Sequence, residues 1–362
     1  MKALIDRLKK FVERYERHIS SGALIGGFII DSLTLQRIDQ LFENLIIIFY
    51  ILVAAVSIAL VNLYEGGYLK GRLFERLHTF LPIVIQFVFG GLFSGFFVFY
   101  FRSSSIASSW PFILGLLILL IGNEVFKKFY KRMVFTLSIF FFCIFSFSIF
   151  SLPVLVKRIG DLVFLSSGFA SLVIMGLFIG ILYLFIPQRI KEVKKLLIIS
   201  IGSIYAVITL FYFLNIIPPI PLSIKSIEVA HTLERTSTGY RLQQEEKKLF
   251  DFLKIYQKVH VVPGGSVYVY SSVFAPTSLT TNVVHHWRYY DENQRKWLTK
   301  NKLDFPIRGG REDGYRGYST KSALTPGRWE VRVETPRGQV IGTIKFVVES
   351  VTSQPALQTI IY

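Results

Sequence analysis

The chain has 362 residues, of which 52% are hydrophobic, with a mean hydropathy of +0.47 and a formal net charge of +17. This apolar excess excludes an ordinary soluble protein, which contains less apolar and more charged sequence. The positive charge lies in short loops and in a mild C-terminal excess without a dense Lys/Arg tract, which argues against nucleic-acid binding. The single cysteine, Cys143, lies in an apolar run, so the C-terminal region has no disulfide and no thiolate metal site.

Apolar and soluble sequence are separated along the chain. All long apolar runs lie within residues 1–221, and residues 222–362 have the composition of a soluble domain with its own core. We therefore predict an α-helical polytopic membrane bundle followed by an all-β antiparallel, immunoglobulin-like sandwich. The predicted divisions are an amphipathic helix at 1–18, a seven-helix membrane domain at 19–217, a proline-rich linker at 218–223, the sandwich at 224–350 and a tail at 351–362.

The first 18 residues repeat apolar side chains at helical spacing, with lysine and arginine between them. This pattern favours a basic amphipathic helix on the inner leaflet, and a solvated helix packed on cytoplasmic loops is the alternative. The sequence does not fit a cleaved signal peptide, because the basic region is long, the apolar core is weak and no A-x-A site follows.

Six apolar runs are long enough to span about 30 Å of hydrocarbon. They are Asn44–Leu63, Phe80–Phe101, Ile106–Gly122, Met133–Val156, Leu162–Ile186 and Leu196–Ile217. A weaker run, "ISSGALIGGFII", begins at Ile19. With this run as a seventh crossing, the segments on one side hold 17 Lys+Arg and those on the other hold 4, whereas six crossings give 10 and 11. The positive-inside rule favours seven crossings, with a cytoplasmic N-terminus and an extracytoplasmic C-terminal domain.

The six clear runs have no ionisable residue at their centres, which argues against proton-coupled transport. A charged cluster lies between the first two predicted crossings and consists of Asp31, Arg37, Asp39 and Glu43. This cluster fits an interfacial turn that is capped by the aspartates and salt-bridged by Arg37. The alternative interpretation is a functional polar site at the outer mouth of the bundle.

Beyond the three prolines, the hydrophobic period changes to two. The stretches 266–274, 282–290 and 328–335 alternate in this way, and short turns without a βαβ pattern predict an antiparallel sandwich. In "RWEVRVET", we expect Trp329, Val331 and Val333 to be buried, and the charged residues to be exposed: Arg328, Glu330, Arg332 and Glu334. The stretch "EEKKLFDFLKIYQ" at 245–257 is predicted to be a helical insertion or a long loop.

One segment of about 80 residues carries a recognisable series of residues. The series comprises His286–Trp287, then Arg316 and Ser319 in "YRGYS", Lys321, a strand with Pro326, Gly327, Trp329, Val331 and Val333, and the closing Gly338, Ile341, Gly342 and Phe346. It resembles the bacterial domain of unknown function 2914, and the seven-crossing arrangement resembles the membrane-bound members of that group. The resemblance implies a bacterial envelope protein with a β-sandwich, and it brings no catalytic residues.

The sequence contains no nucleophile elbow, H-E-x-x-H, P-loop or dinucleotide-binding motif in a suitable context. His285 and His286 are adjacent in a predicted strand, so they point to opposite faces and at most one could join a given metal site. We predict that they are ordinary strand residues, with one hydrogen-bonded in or near the core. Neither a metal nor a cofactor is expected.

The segment "RGGREDGYRGYS" at 308–319 packs five charges, four glycines and two tyrosines into 12 residues. A flexible hairpin loop leading into a strand is the simplest interpretation. The functional interpretation is a groove in which arginine binds a carboxylate or phosphate and tyrosine stacks on a sugar ring. The candidate ligand-binding residues are Arg308, Arg311, Tyr315, Arg316, Tyr318 and Trp297, whereas Trp287 and Trp329 are expected in the core.

These patterns favour a bacterial inner-membrane protein that presents a non-catalytic β-sandwich to an envelope ligand. The ligand would be a glycan, an anionic polymer or a protein, with the lipid bilayer as the other partner and no nucleic acid. One alternative is a channel or transporter for lipids or small molecules with the sandwich as a cap. Another is a membrane-surface enzyme that uses Asp31, Asp39 or Glu43.

Overall fold

The chain forms a helical unit followed by a β-rich unit. The computed structural model describes residues 28–32, 41–126, 129–130, 132–237, 239–246, 254–277 and 279–362. The helical unit extends to Leu214, but two short segments within that stretch, 102–109 and 156–160, group with Asn215–Tyr362 in the β unit. The β unit is therefore built from three separate pieces of the chain.

Six long helices follow one another in the described part of the chain. They are α1 (Leu41–Glu65), α2 (Arg72–Arg102), α3 (Ile106–Phe126), α4 (Met133–Val156), α5 (Asp161–Phe185) and α6 (Pro187–Phe213). Each predicted apolar run lies mainly in one helix. The start of α6 is nine residues earlier than the predicted run, because proline at the first helical position and the following Lys and Glu residues are compatible with a helix.

Five of these helices are long and apolar enough to cross a membrane, namely α1, α2, α4, α5 and α6. The apolar part of α3 is shorter and covers Ser108–Asn123. These helices indicate a membrane protein. The predicted amphipathic helix at 1–18 lies outside the described residues, as does the predicted seventh crossing except for the helical residues 28–32.

Hydrogen bonds and an ion-pair network around Glu65 help to hold the helical unit together. The carboxylate of Glu65, at the end of α1, accepts from Arg189 in α6 and lies 3.1 Å from His78 Nε2 in α2. Deeper in the unit, Asn123 Nδ2 donates to the Gln86 carbonyl at 3.0 Å. These contacts satisfy polar groups that would be costly to leave unpaired in an apolar environment.

The β unit contains eleven strands within the described residues. They are β1 (Ser223–Ala230), β2 (Thr232–Arg235), β3 (Tyr240–Glu245), β4 (Gln257–Val261), β5 (Ser266–Phe274), β6 (Thr280–Asp291), β7 (Lys296–Arg308), β8 (Tyr315–Ser322), β9 (Gly327–Glu334), β10 (Val340–Ser350) and β11 (Leu357–Ile361). They form a three-stranded sheet β1-β5-β8, a five-stranded sheet β4-β10-β9-β6-β7 and a small sheet β11-β3-β2. All pairs are antiparallel except β4 with β10, which run parallel.

The core of the sandwich lies between the three-stranded and five-stranded sheets. Val267 and Val269 of β5 pack against Trp287 of β6 and Trp329 of β9 in one buried cluster. Both tryptophans are at most 1% exposed, and their rings meet edge to face with centroids 6.4 Å apart. The prediction that Trp287 and Trp329 are core residues is confirmed.

The proline-rich segment at 218–223 contributes buried side chains. Ile217, Ile220 and Leu222 lie beside the three prolines and are each at most 6% exposed. Leu222 belongs to the second core cluster of the sandwich, with Val273 and Ile341. Because these apolar side chains gain more from burial than from solvent exposure, the segment folds into the β unit.

The C-terminal residues assigned to a tail contain strand β11, which pairs with β3 from Leu357↔Glu245 to Ile361↔Arg241. Its partner β3 also pairs with β2, so the small sheet joins residues far apart in sequence. These five residues have no clear alternation of apolar and polar side chains, so their sequence alone does not predict a strand.

Two carboxylates expected to be exposed are instead buried, Glu330 at 2% and Glu334 at 5%. Glu330 points away from the core, but long side chains from both neighbouring strands cover it. Arg288 lies 2.8 Å away and Arg332 lies 2.6 Å away, while Lys345 Nζ is at 3.6 Å. The prediction that Glu330 points away from the core is therefore consistent with the structure, but the prediction that it is exposed is wrong. Side chains from the strands on both sides of β9 cover it.

Candidate functional site

The outer face of the three-stranded sheet carries an unusual concentration of tyrosine. Side chains alternate across β5 and β8, so Val269 and Ser319 point into the sandwich while Tyr270 and Tyr318 point out. Tyr268 lies on the same outer face, and Tyr240 and Tyr362 reach it from the small sheet. We call this surface the tyrosine face and define it as Tyr240, Tyr268, Tyr270, Tyr318, Tyr362 and Arg316.

Ring contacts link all five tyrosines of this surface. Tyr240 lies 5.7 Å from Tyr270 and 6.1 Å from Tyr318, measured between ring centroids. Tyr268 lies 6.4 Å from Tyr318, and Tyr270 lies 5.1 Å from Tyr362. Within this cluster Tyr318 is the most open ring, with 46% of the residue exposed, whereas Tyr270 is 1% exposed. The tyrosine face therefore has a rigid aromatic base and one accessible ring.

Two tyrosines of the tyrosine face, Tyr270 and Tyr362, have phenol groups with a raised pKa. Burial raises the pKa of Tyr270 to about 12. Burial also raises the pKa of Tyr362, and its hydrogen bond to Glu228, at 3.0 Å between Oη and Oε1, adds to the effect. Neutral phenols can both donate and accept hydrogen bonds, which suits the hydroxyl groups of a sugar.

Arg316 supplies the positive charge of the tyrosine face. Its outward position follows from its pairing with Ser272, which lies two residues from Tyr270 and therefore on the same side of β5. Its guanidinium lies 3.6 Å from the Asp313 carboxylate, which is 85% exposed. The Arg316 side chain itself is 24% exposed. Because its partner carboxylate lies in solvent and the contact is long, the pair contributes little, and Arg316 can exchange Asp313 for another anionic group.

The structure divides the six ligand-binding residues predicted from sequence. Arg316 and Tyr318 lie together on the tyrosine face. Tyr315 is adjacent to Arg316 in β8, so it points the other way and packs against the second core cluster. Arg311 lies in the preceding loop with its guanidinium 5.5 Å from the Tyr315 ring centroid. Arg308 is exposed at the end of β7.

Trp297 belongs to a different surface, the outer face of the five-stranded sheet. Its ring centroid lies 5.3 Å from that of Tyr290 and 5.6 Å from the Arg288 guanidinium. The guanidinium of Arg328 stacks on the Tyr290 ring, 4.1 Å from its centroid. Trp297 is half-buried by these contacts, so it is less open than its position beside Lys296 predicts.

Sequence reasoning missed the contribution of Tyr240 and Tyr362. Both come from the small sheet, whose pairing brings residue 240 beside residue 362 through backbone hydrogen bonds of 2.9 Å. The ending "LQTIIY" does contain β-branched residues at strand spacing, which is the one available signal. The alternation in 266–274 places Tyr268 and Tyr270 on one side of a strand, but no local pattern shows that this side meets a third sheet.

The two adjacent histidines occupy opposite faces, as predicted. His285 is fully buried, with Nε2 2.8 Å from Ser271 Oγ and Nδ1 2.8 Å from Ser319 Oγ. Ser319 Oγ also accepts from Trp287 Nε1 at 2.9 Å, an arrangement that fits a neutral imidazole. Burial lowers the pKa of His285 to about 3. Both ring nitrogens are occupied, so His285 has a structural role.

His286 lies on the outer face of the five-stranded sheet. Its Nδ1 is 3.2 Å from Glu334 and its Nε2 is 2.8 Å from Thr299 Oγ1. Burial lowers the pKa of His286, and Glu334 acts in the opposite direction. This histidine is held by local partners.

A second group of histidines surrounds Glu245 at the end of β3. Glu245 accepts from the His260 backbone N–H at 2.7 Å and lies 2.6 Å from His260 Nδ1 and 3.0 Å from His231 Nε2. Burial opposes ionisation of Glu245, but these hydrogen bonds outweigh burial and lower its pKa. Within the described residues, no group of three or more His, Cys, Asp or Glu side chains has a geometry that could hold a metal ion.

The predicted cluster near the first crossing is only partly described. Asp31 lies in the helical residues 28–32 and is half-buried, and Glu43 lies in the first turn of α1 at 3% exposure. Arg37 and Asp39 lie outside the described residues. The interfacial turn and the alternative polar site both remain predictions.

Comparisons with known proteins agree with part of this picture. A family model described as "Protein of unknown function (DUF2914)" matches residues 280–348, from the start of β6 into β10. The match covers the central strands of the five-stranded sheet together with β8, and it confirms the C-terminal part of the sequence resemblance. No curated protein matches the chain.

Solved structures give only weak likenesses. A β-glucosidase from Listeria innocua aligns with 9% identity and a TM-score of 0.20 over 36% of this chain, and the chain spans 16% of that enzyme. The alkylpurine DNA glycosylase AlkC of Pseudomonas fluorescens aligns with 11% identity and a TM-score of 0.22, over 87% of this chain and 100% of the glycosylase. Both TM-scores are far below those of proteins that share a fold.

Proposed function

We propose that this chain is an integral membrane protein of the bacterial cell envelope whose β-sandwich binds an acidic glycan outside the cytoplasm. The ligand binds on the tyrosine face, and the protein performs no chemistry on it. The observation that carries the proposal is the exposed Tyr318 ring, flanked by Tyr240 and Tyr268 and followed on the same face by Arg316.

The chemistry of the tyrosine face suits such a ligand. The face of a tyrosine ring packs against the apolar C–H side of a sugar, while neutral phenols hydrogen-bond its hydroxyl groups. The guanidinium of Arg316 forms a paired hydrogen bond with a carboxylate or phosphate. Because the rings of Tyr240 and Tyr268 already contact Tyr318, little side-chain entropy is lost when a ligand binds.

Two observations support an extracytoplasmic position for the sandwich. With seven crossings, the segments on one side of the membrane hold 17 Lys and Arg residues, and those on the other side hold 4. The positive-inside rule favours a cytoplasmic location for the first side, so residues 102 and 157–158, on the second side, are extracytoplasmic in this proposal. Residues 102–109 and 156–160 group with the β unit. The low-charge segments and the sandwich therefore belong on the same side in this proposal.

Replacement of Tyr318 by alanine tests the binding face. We expect the full-length protein in nanodiscs to bind an oligogalacturonate, and Tyr318→Ala to weaken this binding about three- to tenfold through loss of ring stacking. The measurement is isothermal titration calorimetry at a fixed salt concentration. The control is Tyr290→Ala, which also removes a tyrosine beside an arginine, but from the outer face of the five-stranded sheet, where Tyr290 is half-buried. Equal losses in the two variants contradict the proposed face.

Arg316→Gln separates charge recognition from ring stacking. We expect this variant to lose the preference for the oligogalacturonate over a neutral glucan oligomer of the same length, while weak binding of the neutral oligomer persists. Unchanged preference contradicts the role of Arg316. Absence of binding to either oligomer by the unmodified protein contradicts a glycan ligand.

A reporter fused after Tyr362 tests the orientation. We expect alkaline phosphatase to be active there and a cytoplasmic-type fluorescent protein to be dark, because the proposed sandwich lies outside the cytoplasm. A fluorescent fusion with inactive phosphatase places the sandwich in the cytoplasm and contradicts this part of the proposal.

A further inference from the structure

A groove with a volume of about 660 Å³ runs between α5 and α6 in the helical unit. Its floor is apolar and consists of Met175, Ile190 and Leu197, each at most 5% exposed. Its size falls in the range of about 300–1,000 Å³ that is typical of small-molecule pockets. Glycines on both helices line the groove and keep it open, because they have no side chain to fill it.

The glycines that shape the groove are Gly176 and Gly180 on α5 and Gly202 on α6. A β-carbon added at any of the three would meet no heavy atom within 4 Å. They are therefore not required for close packing of the two helices. Their effect is to leave open a channel that a flexible apolar chain can enter.

One end of this groove is positively charged. Lys191 and Lys194 line it one helical turn apart, and both are exposed. Neither lysine makes an ion pair with any residue that the structure describes, unlike Arg189, which pairs with Glu65. The N-terminus of α6 adds positive potential, since Ile186 provides no side-chain cap.

The position of the two lysines matches the edge of a bilayer. The 27 residues of α6 extend about 40 Å, which exceeds the roughly 30 Å of hydrocarbon. The long apolar stretch of α6 begins at Leu196, so the turns that carry Lys191 and Lys194 reach the headgroup region. An apolar groove therefore leads from the hydrocarbon region to a pair of cations at headgroup depth.

We propose that the groove between α5 and α6 binds one anionic phospholipid, with an acyl chain over Met175 and Leu197 and the phosphate between Lys191 and Lys194. A lipid without net charge could fill the apolar groove, but it would not neutralise the charges of Lys191 and Lys194. A helix from a second copy of the chain fills the channel but supplies no anion at this end. The charge therefore selects the lipid as the occupant.

Native mass spectrometry of the full-length protein tests this site with phosphatidylglycerol and phosphatidylcholine as probes. We expect one phosphatidylglycerol to be retained per chain, in preference to phosphatidylcholine. Each change Lys191→Gln or Lys194→Gln weakens this retention about fivefold, and the double change weakens it roughly 30-fold. The matched control is Lys195→Gln, because Lys195 is exposed on the same turn but does not line the groove.

A second series blocks the channel itself. Gly180→Leu is expected to abolish retention of the lipid, while Gly115→Leu in α3 leaves it unchanged. A β-carbon at Gly115 also meets nothing within 4 Å, so both variants are expected to fold, as checked by helical circular dichroism. Equal retention of the two lipids, or full retention in the double Gln variant, overturns the proposal. A lipid-free dimer that Gly180→Leu dissociates also overturns it and identifies a second copy as the occupant.

Discussion

Trp329→Ala is expected to lower the free energy of unfolding of the β-sandwich by about 3–5 kcal/mol, the range for truncating a fully buried tryptophan. Trp329 is 1% exposed and contacts the rings of Trp287 and Tyr289, with centroids 6.4 and 5.1 Å away. Its Nε1 donates to the Thr325 carbonyl at 2.8 Å. Alanine leaves a cavity at the centre of the core and an unpaired carbonyl at its edge.

Urea denaturation of the full-length protein in nanodiscs measures this loss, followed by tryptophan fluorescence. The control is Trp297→Ala, since Trp297 is half-buried on the outer face and its loss leaves no enclosed cavity. We expect the control to lose less than half as much stability as Trp329→Ala. Similar losses in both variants contradict the assignment of Trp329 to the centre of the core.

Acidification from pH 7.5 to pH 4.5 is expected to lower the free energy of unfolding by roughly 2–3 kcal/mol through His285 alone. Burial lowers the pKa of His285 from 6.5 to about 3. Between these two pH values the imidazole is therefore mostly protonated in the unfolded chain and mostly neutral in the folded protein. Stability from this residue is complete above pH 6.5 and is lost as the pH falls toward 3, at about 1.4 kcal/mol for each pH unit.

The variant His285→Gln separates this effect from other titrating groups. It lowers stability at pH 7.5 by disturbing the bonds to Ser271 and Ser319, but it removes the part of the slope between pH 6.5 and 4.5 that His285 contributes. His286 contributes a slope of the same sign, because its pKa is also lowered by burial. Urea midpoints measured at half-unit pH steps report the slope. An unchanged slope in His285→Gln contradicts the neutral buried imidazole.

The helices and the central strands could be predicted from sequence because their hydrophobic periods are long and regular. Each of the six apolar runs lies mainly within one helix, and the alternation around Trp287 and Trp329 correctly identified the core face. Alternation also placed His285 and His286 on opposite faces. These features depend on local geometry, which one segment of sequence determines.

Features that depend on pairing between distant segments could not be predicted in this way. The tail strand β11 exists because β3 pairs with it, and Glu330 is buried because β6 and β10 supply Arg288 and Lys345. The tyrosine face likewise requires Tyr240 and Tyr362 from a third sheet. The charged segment at 308–319 predicted Arg316 and Tyr318 as candidate ligand-binding residues. The tyrosine rings that pack beside them come from other strands, so they depend on the tertiary fold.

Ile159 belongs to the β unit and packs against the core cluster that includes Leu222 and Ile341. During synthesis, the ribosome adds Ile341 about 180 residues after Ile159, an interval of roughly 10–40 s at ~5–20 residues per second. Throughout this interval the apolar loop residue lacks the strands that shelter it. The sandwich therefore closes late in translation, and a fragment that begins at Asn215 lacks one piece of its own core.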